Sequence, residues 1–291
     1  MQITDTPGAR FLTRIDFDGV MDALDQLDNT KPRNASNASL ARDYATHLKV
    51  GDAWCCNGRK RDALVAALSS PAPALMAEID SVREKLTEAT PALAGREKLR
   101  RVRRRGEDFG DEVGNQSRYL MRDPYCWDRM VRESRPGKII RLVTHLGGSA
   151  CLAHKDVVRR GATALALADW LTANGYNVEI VGVIAGQNAG DGVRADWIAT
   201  LPLKRSNEPM DIGALASATC DMSFARAVML RGVINLAGFK LSSGLGMPMS
   251  QLPADLSEGE TIHVPEALHS DREAGEWLAA AIGKLTSPEG E

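Results

Sequence analysis

Residues 138–184 read KIIRLVTHLGGSACLAHKDVVRRGATALALADWLTANGYNVEIVGVI, and the order of elements written there decides the fold. Ile139, Ile140, Leu142 and Val143 are apolar on both sides of a strand, the pattern of a central parallel strand covered by other elements. Gly147-Gly148-Ser149 ends that strand. A helix is predicted over 156–173, with Val158, Ala162 and Leu165 on one side and Ala164, Ala168 and Leu171 on the next. Asn174-Gly175 is a left-handed stop signal, and Val178 to Ile184 supply a second buried strand. The segment is a βαβ unit, right-handed when both strands share a sheet.

Working outward, Trp197, Ala199, Leu201 and Leu203 alternate with polar residues in a half-exposed strand. Pro202 removes a ladder donor and is expected to confine that strand to a sheet edge. Helices are predicted over 210–218 and 222–236, a Gly/Ser/Pro-rich loop over 242–259 and a short strand over 261–264. A closing helix over 272–285 turns Trp277, Leu278, Ala281 and Leu285 inward.

The first half reads as mainly helical. Val20, Leu24 and Leu27 share a face of a helix over 16–28, Ser36 or Asn37 caps a helix through Thr46, and Trp54 is a packing anchor. Further helices are predicted over 59–69 and 72–88, the second opened by Pro71 and Pro73. Arg96, Lys98, Arg100, Arg101, Arg103, Arg104 and Arg105 then form a basic run that reads as a solvated helix end or linker, or as a phosphate contact. Residues 119–127 look extended, turning into a short helix with Trp127, Met130 and Val131. Arg135-Pro136-Gly137 is the expected boundary between a helical region over 1–135 and an α/β domain over 136–291.

Composition narrows the function classes. The chain has 291 residues, 44% hydrophobic and 25% charged, and a net charge of −2, so no global field attracts nucleic acid or an anionic membrane. The N-terminus lacks a signal-peptide core, and no apolar run reaches membrane-span length, so a cytoplasmic location in a bacterial host is expected. Five scattered cysteines read as reduced thiols, and the glycosylation patterns at Asn34 and Asn37 carry no weight without secretion. Neither Cys55-Cys56 nor the five histidines have metal-ligand spacing, so no metal or cofactor is expected.

The element order over 138–285 resembles the von Willebrand factor A-type domain, most specifically in GATALALADWLTANGYNVEIVGV at 161–183. The resemblance implies a doubly wound, mostly parallel sheet with helices on both faces. It does not carry over the family's cation site, whose loop needs an aspartate and two serines. The matching positions are Thr144, Leu146 and Gly148, with Ser149 one place late; Met210 stands for the family threonine, and the later aspartate falls near Pro265-Glu266. DEVGNQSRYLMRDPYCW (111–127) and MLRGVINLAGF (229–239) are also similar to an uncharacterised group of phage and actinobacterial proteins.

Ligands of open α/β sheets bind beyond the carboxyl ends of the strands, where Thr144, His145, Ser149, Asp211 and His263 are expected to gather. A Ser149–His145–Asp211 hydrolase would lack the G-x-S-x-G elbow, and Gly147-Gly148 is too short for a dinucleotide loop. No catalytic residue is therefore assigned. The expectation is a non-enzymatic protein-interaction or self-assembly module, phage-encoded or virion-associated, that uses Thr144, His145, Ser149 and Asp211 as its top face. The alternative is nucleic-acid association through Arg100, Arg101, Arg103, Arg104 and Arg105.

Overall fold

The computed structural model describes residues 2–6, 11–26, 31–43, 61–69, 73–89, 99–104, 113–114, 120–121, 127–132, 138–148, 152–190, 193–221, 224–241, 247–248, 256 and 260–286. Cys55, Cys56, Trp54, Arg96, Lys98, Arg105 and Ser149 lie outside them.

The predicted βαβ unit is present. Strand β6 (Ile139–His145) runs parallel to β7 (Asn177–Gly190), and α4 (His154–Ala173) connects them. The helix ends at Asn174, followed by Gly175 at φ 81°, the left-handed conformation that the Asn-Gly pair predicts. Instead of ending at Ile184, β7 continues to Gly190, and β8 (Val193–Lys204) pairs with it antiparallel from Gly190↔Val193 onward. A short β10 (Thr261–His263) lies parallel to β6 on its other side, and β9 (Met247–Pro248) pairs with the far end of β7.

A second hairpin completes the sheet: β1 (Gln2–Thr6) pairs with β2 (Phe11–Asp16), and β2 lies parallel to β8. The strand order is β1-β2-β8-β7-β6-β10, with three parallel and three antiparallel pairings among the described residues. The sheet is therefore mixed, not mostly parallel, because only two residues separate β7 from β8, too few for a helical crossover. Strand β8 is internal, which corrects the expectation drawn from Pro202. Pairing with β2 ends at Thr200, so Pro202 lies past the end of β2, where the register with β7 also shifts.

Side chains alternate across a strand, so Ile140 and Leu142 share a face with Val178, Ile180 and Ile184, and through the β8 register with Ala199 and Leu201. That face carries two contiguous clusters, one centred on Ile140, Leu142, Val178 and Ile180, the other on Ile15, Phe17, Trp197 and Leu201. All described α-helices feed these two: α1 (Val20–Asp25), α2 (Arg61–Ser69), α3 (Pro73–Ala89), α4, α5 (Ile212–Thr219), α6 (Leu230–Leu236, preceded by a π turn at Ala225–Met229) and α7 (Asp271–Thr286). On the opposite face Val143, Val183, Ala185 and Ile198 meet Leu256. Among the described residues the helices thus cover one face and not both. The crossover from β8 back to β10 brings α5 and α6 to the side that α4 already occupies.

Helix α4 is the middle of the molecule, with every residue from Arg160 to Ala168 buried. Its intrinsic propensity is uneven: Ala162, Ala164, Ala166, Ala168, Leu165 and Leu167 are good helix formers, whereas Val157, Val158, Gly161 and Thr163 are poor ones. Burial supplies what propensity lacks, at roughly 1.5–3 kcal/mol for each enclosed Val or Leu side chain. Gly161 allows α5 to approach closely: a methyl group there would overlap Cys220 Sγ and the Thr219 carbonyl. On the other side α3 is held to α4 by Arg83–Asp169 and by Glu78–His154 at 3.5 Å.

The boundary expected at 135/136 therefore does not separate two cores. Strand β2, α1, α2 and α3 belong to the same clusters as the residues after 138. Residues 38–43 are helical, as expected of a helix through Thr46, whose later residues are outside the described set. Asn34 caps the short turn Ala35–Asn37 through Ser36 N. Asn37 is buried; its Nδ2 donates to Phe239 O at 3.0 Å and its Oδ1 accepts from Leu241 N at 2.9 Å. Asn37→Ala is expected to cost about 2 kcal/mol, because it strands a buried amide N–H and a carbonyl. An unchanged urea midpoint would refute this.

The described part of the basic run, residues 99–104, forms neither a helix end nor a linker. It is β3 (Leu99–Arg104), antiparallel to β5 (Trp127–Arg132), with β4 (Val113–Gly114) on the other side of β5. The short helix expected around Trp127, Met130 and Val131 is thus a strand.

Candidate functional site

The carboxyl ends of β6 and β10 meet the first turns of α4, and Arg160 joins the three. Its Nη1 donates to Gly147 O at 2.8 Å and Glu266 O at 3.1 Å, and its Nη2 to Leu146 O at 3.4 Å. The side chain is 0% exposed. Burial lowers its pKa to about 10, against the opposing pull of Cys220 and of the Glu266 carboxylate, so it remains a cation at neutral pH. The loop it holds is tightly filled: a methyl group at Gly147 would collide with Ile184, and one at Gly148 with Leu152.

Thr144 and His145 lie at this edge, on opposite faces of the sheet. Thr144 is on the helix-covered face with Leu142; it is fully buried, and its Oγ1 has no hydrogen-bond partner among the described residues. His145 is 8% exposed. Burial first, then Arg160 and then His263, lower its pKa to about 4, so the ring is neutral at pH 7. His263, one strand over on β10, is shifted down by burial as well.

Asp211 does not join them. It caps α5, accepting from Ala214 N at 3.0 Å, and is exposed. Strand β8 ends where Lys204 Nζ donates to Val178 O at 2.7 Å, at the start of β7, so α5 sets out from the amino edge of the parallel strands. Only its far end, at Thr219 and Cys220, reaches Gly161 near Arg160. Eight residues of helix, about 12 Å, separate the two ends. The Ser149–His145–Asp211 arrangement is therefore not assembled: Asp211 is at the wrong edge, and Ser149 is outside the described residues. Of the basic residues, Arg100, Arg101, Arg103 and Arg104 are on β3, and Arg105 is outside the described set.

Sequence reasoning missed Arg160. Its signal was positional: with Ala164, Leu167 and Leu171 it falls on one stripe of α4, where an arginine is out of place unless its charge is satisfied. Its neighbour Arg159 ties the same turn to α7, donating to Asp271 Oδ1 at 2.6 Å, Asp156 Oδ1 at 3.0 Å and Leu268 O at 2.9 Å. His269 Nδ1 is 3.5 Å from Asp156 Oδ2, and Ser270 Oγ accepts from Glu273 N at 3.1 Å to start α7.

This arrangement holds loops together. Burial pushes the Cys220 thiol up to about 12, so it is not a thiolate nucleophile. Among the described residues no three His, Cys, Asp or Glu side chains stand close enough to share a metal ion, and no helix is long and apolar enough to cross a membrane.

Residues 12–284 match a family model described as Domain of unknown function (DUF7192). The chain belongs to that family. No curated protein and no solved structure matches it. The DUF7192 match runs from β2 into α7, across the boundary expected at 135/136. The family unit thus takes in β2, the β3–β5 pair and the Arg160 loop together.

Proposed function

We propose that this DUF7192 chain is a non-enzymatic interaction module on a von Willebrand A-like scaffold, in which a side chain of the protein occupies the place of the lost cation. The observation that carries this reading is Arg160. Its buried guanidinium binds the carbonyls of Leu146, Gly147 and Glu266, in the two loops that the resemblance aligns with the family's cation site. A fixed positive charge there does the structural work of a bound ion. Support also comes from the order β8-β7-β6-β10, which is third-second-first-fourth counted along the chain from β6, the inner order of a doubly wound sheet. The scaffold departs from that type in its added β1–β2 hairpin and in the helix layer on one face. Its partner is another protein or a second copy, in an assembly of the phage-encoded or virion-associated kind to which residues 111–127 and 229–239 point.

Two measurements test the reading. Millimolar Mg²⁺ or Mn²⁺ is expected to leave the melting temperature unchanged, and a rise of several degrees reversed by chelator would overturn it. Sizing of the chain purified from its native host is expected to give a particle larger than one chain. A monodisperse monomer would count decisively against an assembly role.

A further inference from the structure

The arginine run is absorbed by none of this. The register of the second sheet brings Arg100, Arg101, Arg103 and Arg104 of β3 alongside Arg129 and Arg132 of β5. The twelve paired residues hold six arginines, one aspartate and no lysine, a net of +5 in a chain whose total is −2. We propose that this β3–β5 ribbon binds duplex nucleic acid through its phosphates.

Three features of the ribbon point to that partner. The first is the pairing: Arg100 stands opposite Val131, Arg101 opposite Met130, Arg103 opposite Asp128 and Arg104 opposite Trp127, while Arg129 and Arg132 stand opposite Val102 and Leu99. No arginine has another directly across from it. Directly opposed like charges destabilise a strand pair, and this stagger avoids the closest of those contacts. The second is scale. Six residues of strand span roughly 20 Å, a length of duplex that carries about twelve phosphates. The third is the choice of cation. Arginine offers a planar fork that matches phosphate oxygens in pairs, whereas lysine acts as a point charge. This proposal goes beyond the scaffold reading and does not depend on it.

The test is fluorescence anisotropy of the full chain with labelled 20-base-pair DNA and RNA duplexes. Side chains alternate across a strand, so each face of the ribbon carries three arginines. Binding is expected at 50 mM NaCl, weakening by about 40-fold by 200 mM if the three of one face contact phosphate. The variant carrying Arg100→Gln, Arg101→Gln, Arg103→Gln and Arg104→Gln is expected to lose at least tenfold in affinity and to show a flatter salt dependence. A control that removes four exposed charges elsewhere (Lys155→Gln, Lys240→Gln, Arg272→Gln and Lys284→Gln) is expected to bind within threefold of the parent. If the ribbon variant loses its far-UV signal, Arg129→Gln with Arg132→Gln decides, with the same expected loss. No binding at 50 mM salt, binding insensitive to salt, or equal loss in the control would overturn the proposal. So would equal competition by polyglutamate, which would make an acidic protein the partner.

Discussion

Arg160→Met is expected to lower the stability of the chain by about 3–5 kcal/mol, because it leaves three buried carbonyls without their charged donor. Methionine nearly fills the volume, so the loss reports hydrogen bonding more than a cavity. Against the roughly 5–15 kcal/mol that holds a typical domain together, this is a third or more of the total. Arg160→Lys is expected to recover only part of it, since a single ammonium cannot take the place of Nη1 on Gly147 and Glu266 and of Nη2 on Leu146. Urea unfolding of the two variants measures both effects. A methionine variant with the parent's midpoint would mean that the guanidinium does not fasten these loops, and the scaffold reading would lose its main support.

The stability of the folded chain is expected to fall as the pH drops from about 6.5 toward 4. Unfolded, His145 titrates near 6.5; folded, its enclosure beside Arg160 and His263 holds it down to about 4. Between those values the unfolded chain binds the extra proton, so acid favours unfolding and the contribution is intact only above pH 6.5. At about 1.4 kcal/mol for each pH unit of separation, the loss attributable to His145 approaches 3 kcal/mol. His263, lowered by burial, acts in the same direction. Carboxylates add their own acid dependence, so the informative quantity is the difference between the parent and His145→Gln at pH 7 and at pH 4.5. The variant is expected to have the flatter profile. Parallel profiles would show that His145 takes up its proton without strain.

Where the sequence was legible, hydrophobic period and stop signal agreed. The β6–α4–β7 unit, the Gly175 stop, the helices near 212–219 and 224–236, the strand at 261–263 and the closing helix all stand within a few residues of their expected places. The misses each have a physical cause. Trp127, Met130 and Val131 fit a helical spacing, yet six residues are too few to distinguish that period from a strand. Strand β2 hides its inward face because Thr13 stands in line with Ile15 and Phe17. The continuation of β7 through Ala185, Gly186 and Ala189 lacks the β-branched residues that announce a strand, and only Asp191-Gly192 signals the hairpin. The candidate site was half legible. The edge holding Thr144 and His145 follows from the βαβ rule, but placing Asp211 required the direction of α5. The fastening role of Arg160 required contacts from the loops after β6 and β10, more than 100 residues apart.

The parallel pairing of β2 with β8 also sets a timetable for synthesis. Phe11 finds Ala195 as its neighbour, so the opening hairpin leaves the ribosome more than 180 positions ahead of the strand that receives it. At about 5–20 residues per second, that interval is on the order of ten to forty seconds. Throughout it, the Ile15 and Phe17 side of the newborn hairpin has no lasting shelter, which makes the nascent chain a natural client for chaperones that shield apolar segments.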